Sequence, residues 1–227
     1  MKLMCSHEHV KHLLKAWSRT RNRKLVSAKH FFYKIGTGHQ KSLTGMYRTL
    51  LHGILESCPE LARSALPNLW ANARETPWQV GKEIHVSDRD VRKAFDYIVG
   101  SSAADNNFRF CFFIDGLDEL ENTAESSHGD LVSLFHNWHR RSSGNVKVVV
   151  SSREHNVFMD GFSPSQRICL HALTRRDLER FTQDKLSGIQ SSEIRSQVVD
   201  KIVDKAQGIF FWVALVVDSV YTTTVEA

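Results

Sequence analysis

Arg109-Phe-Cys-Phe-Phe-Ile-Asp-Gly-Leu-Asp-Glu-Leu120 passes from one cation through five apolar residues into three acids. Strands of a parallel sheet covered on both faces lose the in-out alternation, because every side chain is buried and charge is confined to the strand ends. The run therefore predicts a buried strand over Phe110 to Ile114, with Asp115 at its carboxyl end, where open α/β sheets take their ligands. Val146-Lys-Val-Val-Val-Ser-Ser152 repeats the pattern and also ends in polar residues. Upstream, Leu25-Val-Ser-Ala-Lys-His-Phe-Phe-Tyr33 predicts a further strand, broken by Gly36-Thr-Gly38.

Helical periodicity fills the intervals. Leu3, Val10, Leu13, Leu14 and Trp17 predict one amphipathic helix over residues 2 to 18. Leu43, Met46, Leu50, Leu51, Ile54 and Leu55 share one face of a helix over Ser42 to Ser57. Pro59 and Pro67 bracket a short helix around Leu61 to Leu66, and residues 67 to 86 read as loop. Ser87 with Asp90 forms a variant capping box ahead of a helix through Val91 to Val99. After a polar loop from Asn122 to Gly129, Leu131, Leu134, Phe135 and Trp138 mark a helix over Asp130 to Arg141. Arg167 to Leu170 reads as a short strand, Thr174 as the cap of a helix to Leu186, Ser192 as the start of one to about Ala206, and Ile209 to Val220 as an apolar helix. Strands alternating with helices, followed by helices alone, predict an α/β parallel sheet over residues 1 to 171 and a small helical lid over 172 to 227.

Composition sets the bounds. A chain of 227 residues that is 41% hydrophobic can bury one sizeable core. Cys5, Cys58, Cys111 and Cys169 lie far apart with no Cys-x-x-Cys pair, which predicts free thiols rather than a zinc site. The first residues lack the apolar core of a signal peptide, and the longest apolar run, Ile209 to Val217, is too short to span a bilayer, so a cytoplasmic protein is expected. Residues 1 to 50 carry eleven Lys/Arg against the single acid Glu8, although the whole chain is only +5. Such an arm is compatible with nucleic acid, but no aromatic residues interleave as a stacking platform requires, and a solvated basic surface is expected instead.

The acids at the strand ends suggest a chemistry. A site for a nucleotide needs a Mg²⁺ ligand, an acid that positions water and a cation that reads the terminal phosphate. Asp115 is the candidate metal ligand and cofactor-binding residue, Asp118 or Glu119 the water-positioning catalytic acid, and Arg153 beside Ser152 the phosphate reader. The same residues also read as a strand end that turns on Gly116 with solvated acids, and Arg153 as a surface ion-pair partner. His9 and His12 share a helical face without a third ligand, and the chain has no Gly-x-Ser-x-Gly elbow.

As an ordered set, these segments resemble the NACHT class of signal-transduction NTPases, in particular fungal NOD-like receptors whose NACHT region resembles the nephrocystin amino-terminal domain. Phe31-Phe-Tyr, Gly36-Thr37 and Gln40-Lys-Ser42 resemble one family segment, and Phe113-Ile-Asp-Gly-Leu-Asp-Glu119 resembles its Walker B strand. Ser151-Ser-Arg153 with Asn156-Val-Phe158 resembles its sensor strand, although Glu154 replaces the usual Pro. Leu170, Leu173-Thr174, Asp177-Leu178 and Ala206-Gln-Gly-Ile-Phe-Phe-Trp-Val213 resemble its helical lid.

The resemblance implies a P-loop NTPase-like sheet, ATP and Mg²⁺ as cofactors of the intact family member, and self-association as part of an ATP-dependent switch. It implies an upstream effector domain and downstream repeats, with no membrane partner. Met1-Lys2 resembles the end of the family's Gly-Lys-Ser-Thr-Leu-Met-Lys, so the chain is expected to start just after the phosphate loop, as a fragment or an incomplete gene model. The central P-loop strand is then missing, and low stability and no tight ATP binding are expected of the chain alone. The competing expectations are a non-catalytic interaction domain that keeps the fold without nucleotide and, more weakly, nucleic-acid binding through the basic amino-terminal region.

Overall fold

The computed structural model describes residues 2–75, 85–100, 107–123 and 126–225. It divides into an α/β unit, Met1–Ser163, and a helical unit, Pro164–Ala227.

Three parallel strands, β1 (Lys24–Phe31), β2 (Phe108–Asp115) and β3 (Val146–Val150), lie in the order β1-β2-β3. Lys24 pairs with Phe108 and Phe31 with Asp115, while Phe110 pairs with Val146 and Ile114 with Val150. Parallel neighbours require crossovers, and helices supply them. Between β1 and β2 run α3 (Leu43–Ser57), α4 (Ala62–Ala65), α5 (Pro67–Glu75) and α6 (Asp88–Gly100), and between β2 and β3 runs α7 (His128–Arg141). This is the α/β, P-loop NTPase-like sheet implied by the resemblance, with no strand beside the outer edge of β3 among the described residues.

Strand parity decides what each face buries. Val26, Ala28, Phe110, Phe112, Ile114 and Val146 project to one face and pack with residues of α3, α6 and α7 in the main core. Its centre is aromatic: Trp138 meets Phe95 at 4.8 Å, Phe112 at 5.7 Å and Tyr47 at 5.9 Å between ring centroids. Such tilted and edge-on pairs add to the stabilisation from apolar burial alone. The opposite face carries Arg109, Cys111 and Phe113, all buried, beneath α2 (Glu8–Arg19). There the Arg109 guanidinium lies 4.6 Å from the Trp17 ring and donates to the Trp17 carbonyl and, at 2.8 Å, to Thr20 Oγ1.

Local chemistry explains where the structure departs from the sequence expectations. The first helix is two: α1 (Lys2–Ser6) ends ahead of His7, whose extended backbone and Nδ1, accepting from the His9 N–H at 3.3 Å, start α2. Part of the expected loop over 67 to 86 is helical, because Pro67 begins α5, where a missing N–H costs nothing; residues 76–84 lie outside those described. Arg167 to Leu170 is not a strand. It follows a 3₁₀ turn at Pro164–Gln166 and leads into α9 (Leu170–Lys185), and among the described residues it pairs with no strand. Thr174 is therefore not a cap: its hydroxyl donates back to the Leu170 carbonyl at 3.1 Å inside the helix. A short α8 (Asn156–Gly161) follows β3 in the first unit.

In the helical unit α9, α10 (Ser192–Ala206) and α11 (Phe210–Val225) share their own core, which includes Leu178, Leu186, Val199, Val203, Val213 and Val217. Gln207 and Gly208, both with positive φ, end α10 and let α11 fold back on it.

Candidate functional site

The carboxyl ends of the strands form one rim, built chiefly by the turn after β2. Gly116 adopts φ 71° and ψ 47°, and a Cβ there would meet the Phe32 carbonyl at 3.3 Å. That left-handed residue reverses the chain into a 3₁₀ turn, Leu117–Glu119. Leu117 is fully buried, and its N–H donates to the Ser151 carbonyl at 3.0 Å, so the turn is pinned to the end of β3. With Leu117 facing inward, Asp118 and Glu119 are held at the rim.

Asp115 and Asp118 have different partners. Asp115 accepts from the Ser151 hydroxyl, and its backbone carbonyl accepts from the Phe32 N–H at 3.0 Å. Asp118 Oδ1 accepts from the Arg153 N–H at 3.1 Å and lies 3.3 Å from Ser152 Oγ, whose hydroxyl it shares with the Arg153 carbonyl at 2.8 Å, and Arg153 Nε lies 3.6 Å from Asp118 Oδ2. The Asp118 side chain is only 9% exposed, whereas that of Arg153 is 83% exposed. The carboxylate is thus a fixed backbone anchor and the guanidinium a loosely tethered cation.

Glu119 is directed elsewhere. Its carboxylate accepts from the Lys34 N–H at 3.0 Å, tying the turn to the segment after β1. Beside it, the Glu121 N–H donates to the Lys41 carbonyl at 2.9 Å and the two side chains form a 3.1 Å ion pair. Of the residues singled out in the sequence, the structure brings Asp118, Ser152 and Arg153 into one hydrogen-bonded cluster. Asp115 stands next to it through Ser151, and Glu119 serves the β1 side of the rim.

Ser151 is the residue that site reasoning from the sequence left aside in favour of Ser152. Parity identifies it: Ile114 is level with Val150, so Ser151 is the next residue level with Asp115 on the same face. His30 was also missed. It occupies the inward parity of β1 between Ala28 and Phe32, is 3% exposed, and leaves Nε2 with no hydrogen-bond partner. Burial pushes its pKa down to about 4, so the ring is neutral at physiological pH. Burial also raises the Cys5 thiol and pushes the Cys111 thiol up to about 12, so neither is a thiolate.

Among the described residues no group of three or more His, Cys, Asp or Glu could hold a metal by itself. Part of the basic arm is neutralised: Lys11, Lys24, Lys41 and Arg48 pair with Glu8, Glu60, Glu121 and Asp88. No helix among the described residues is long and apolar enough to cross a membrane.

No curated protein and no solved structure matches the chain. Residues 2–153 match the model of the family described as nephrocystin 3, N-terminal, and these are the residues that form the sheet, the Gly116 turn and the Arg153 anchor. The chain accordingly belongs to the nephrocystin 3 N-terminal family and carries a NACHT-type domain.

Proposed function

We propose that the chain is the Mg²⁺- and ATP-responding core of a signal-transduction NTPase in an intracellular receptor, of the kind used in fungal innate immunity and heterokaryon incompatibility. The observation that carries this reading is the rim itself: Asp115 with Ser151 on one side, and Asp118 fixing the backbone of Arg153 while leaving its guanidinium exposed. The residues fit a hard cation. Among the described residues the second oxygen of Asp115 accepts no hydrogen bond, and the Ser151 hydroxyl is a further oxygen donor. Mg²⁺ takes one or two protein oxygens and completes its shell with water and phosphate, so a sparse site suits it.

Each residue then has a defined task. Asp115 holds the cation, directly or through water, and Ser151 orients its carboxylate. Arg153 swings its guanidinium to a terminal phosphate by charge-assisted hydrogen bonds. Asp118 keeps the Arg153 backbone in place and is the acid that would orient a water, while Glu119, bonded to the Lys34 N–H, holds the turn on the β1 side. Bound ATP with Mg²⁺ would supply a phosphoryl group open to attack by water and, through its presence or absence, a switch signal. No Gly-x-x-x-x-Gly-Lys-Ser/Thr occurs in the 227 residues, so the phosphate cradle has to come from another segment. The outer edge of β3, with half-buried Val148, Val149 and Val150, is open to a further parallel strand whose end would meet this rim.

The missing loop is also what favours the second reading, a non-catalytic interaction domain. Calorimetric titration with Mg-ATP separates the two when applied to residues 1–227 and to a fusion that places a strand and a Gly-x-x-Gly-x-Gly-Lys-Ser-Thr loop ahead of them. The expected result is no measurable binding by residues 1–227, and micromolar binding by the fusion that Asp115→Ala weakens at least tenfold. A fusion that does not bind, or that binds indifferently to Asp115→Ala, would refute the proposal, and micromolar binding by residues 1–227 alone would show that they hold a phosphate site of their own.

A further inference from the structure

The helical unit contains a groove that the rim chemistry does not use. It runs between α10 and α11, with Val198 and Ile202 on one wall, Trp212, Val216 and Val220 on the other, and a cleft of about 310 Å³ between them. Lys201 and Lys205 line the α10 side one turn apart. Both are exposed, and neither has a carboxylate partner among the described residues.

Charge on α10 is sorted by face. At 100° per residue, Val198, Lys201, Ile202 and Lys205 share one side, and Ile194, 56% exposed, extends it by a turn. Glu193, Asp200 and Asp204 fall on the other side, where Asp204 binds Arg175 at 2.7 Å. The acids of α10 thus pair or solvate away from the groove, and among the described residues its charged lining is Lys201 and Lys205. The eight residues of α10 from Val198 to Lys205 span seven rises of 1.5 Å, about 10 Å or two turns of a helix.

We propose that this groove docks an acidic amphipathic helix of a partner protein. The occupant presents apolar residues at i, i+3 or i+4 and i+7 to the Val198–Trp212 floor and places Glu or Asp against Lys201 and Lys205. A helix fits because the site is concave and flanked by two helices, so that a third completes a helical layer with apolar side chains on both walls. A lipid surface suits the site less well, since membranes receive convex amphipathic faces whose cations flank a protruding apolar stripe.

The test uses the full chain and a labelled 18-residue helical peptide with Leu at the i, i+3, i+4 and i+7 positions and Glu on both flanks. A second peptide carries Lys in place of every Glu, and binding is read by fluorescence anisotropy at low and high salt. The expected result is preference for the Glu peptide by roughly fivefold or more, reduced by salt. The Lys201→Glu/Lys205→Glu variant should reverse that preference, an outcome that a misfolded variant cannot give. Equal affinity for both peptides, or no reversal in the variant, would overturn the proposal. So would sedimentation with phosphatidylserine vesicles without binding of the Glu peptide, which assigns the groove to lipid. Concentration-dependent self-association that the charge swap abolishes, again without peptide binding, would assign it to a second copy of the chain.

Discussion

His30 should make the α/β unit acid-sensitive, and the size of the effect follows from its position. The ring lies in the core beneath the rim, edge-on to Phe32 at 4.5 Å between centroids, and its strand neighbour Ile114 immediately precedes Asp115. Burial lowers its pKa from 6.5 to about 4, because nothing near Nε2 compensates a charge there. The folded value lies below the unfolded one, so the contribution to stability is fully present above about pH 6.5 and is lost as pH falls through about 4. At 1.36 kcal/mol per pH unit the whole effect is about 3 kcal/mol, and most of it is gone by pH 4.5. His30→Leu conserves volume approximately, removes the orphaned nitrogen and cannot charge. Urea unfolding of both proteins at pH 7 and pH 4.5 provides the measurement. Wild type should lose about 2 to 3 kcal/mol more than the variant over that interval, since the carboxylates that also titrate there are common to both. Parallel losses, within about 1 kcal/mol of each other, would show that His30 is hydrated or partnered in solution and would refute the argument.

Gly116→Ala and Gly144→Ala both place a side chain at positive φ, at 71° and 79°, but only at position 116 would a Cβ have neighbours within 4 Å, the Phe32 carbonyl at 3.3 Å and the Glu119 side chain at 3.7 Å. Gly144→Ala should cost about 1 kcal/mol from backbone strain and Gly116→Ala measurably more in the same urea assay; equal costs would mean that the Phe32 contact yields freely. Arg109→Ala removes two hydrogen bonds and the cation beneath Trp17 and should destabilise the unit by about 2 to 4 kcal/mol, with faster amide exchange over Glu8–Arg19. Unchanged exchange in that helix would show that Arg109 does not hold it to the sheet.

What could be read from the sequence depended on how many residues carried each signal. β2 is legible because a run of five apolar residues ends in acids, a pattern that burial on both faces imposes, whereas β1 alternates buried and exposed residues and β3 offers three consecutive valines ahead of Ser151. Helix α3 was legible from six apolar positions on one face, behind a Ser42 hydroxyl that accepts from the Gly45 N–H at 3.2 Å. Arg167 to Leu170 misled because four residues with one buried-strand feature satisfy helix and strand equally, and the deciding factor is whether a neighbouring strand exists. Helix α5 was hidden because Pro67 was read as a breaker, although at the first helical position it is a starter. At the rim, Asp115, Asp118 and Arg153 could be located by their strand ends, but the choice between Ser151 and Ser152 depends on register between strands 36 residues apart. Register is a tertiary fact, recovered here from the pairing of Ile114 with Val150.

The same geometry indicates which rim residue can move. Asp118 is held by a backbone N–H and a hydroxyl, and releasing it would leave a nearly buried carboxylate without donors, at a cost of at least 1 to 3 kcal/mol. Glu119 is likewise tied to the Lys34 N–H. Arg153 is different: its guanidinium is mostly in water, 3.6 Å from its acid, and an exposed pair of that kind contributes at most about 1 kcal/mol. An anion arriving at the rim can therefore draw the Arg153 side chain away while the bonds from its backbone N–H and from Ser152 to Asp118 stay closed. In the proposed switch, anchor and reporter are separate atoms of one residue, with the N–H fixed and the guanidinium exposed. Replacing Arg153 by Ala should consequently leave the turn and the stability almost unchanged while removing the cation, whereas replacing Asp118 should loosen the turn itself. That asymmetry distinguishes Asp118 as a backbone anchor, with the Arg153 guanidinium left available, from a mere surface ion pair, where either substitution would have the same small effect.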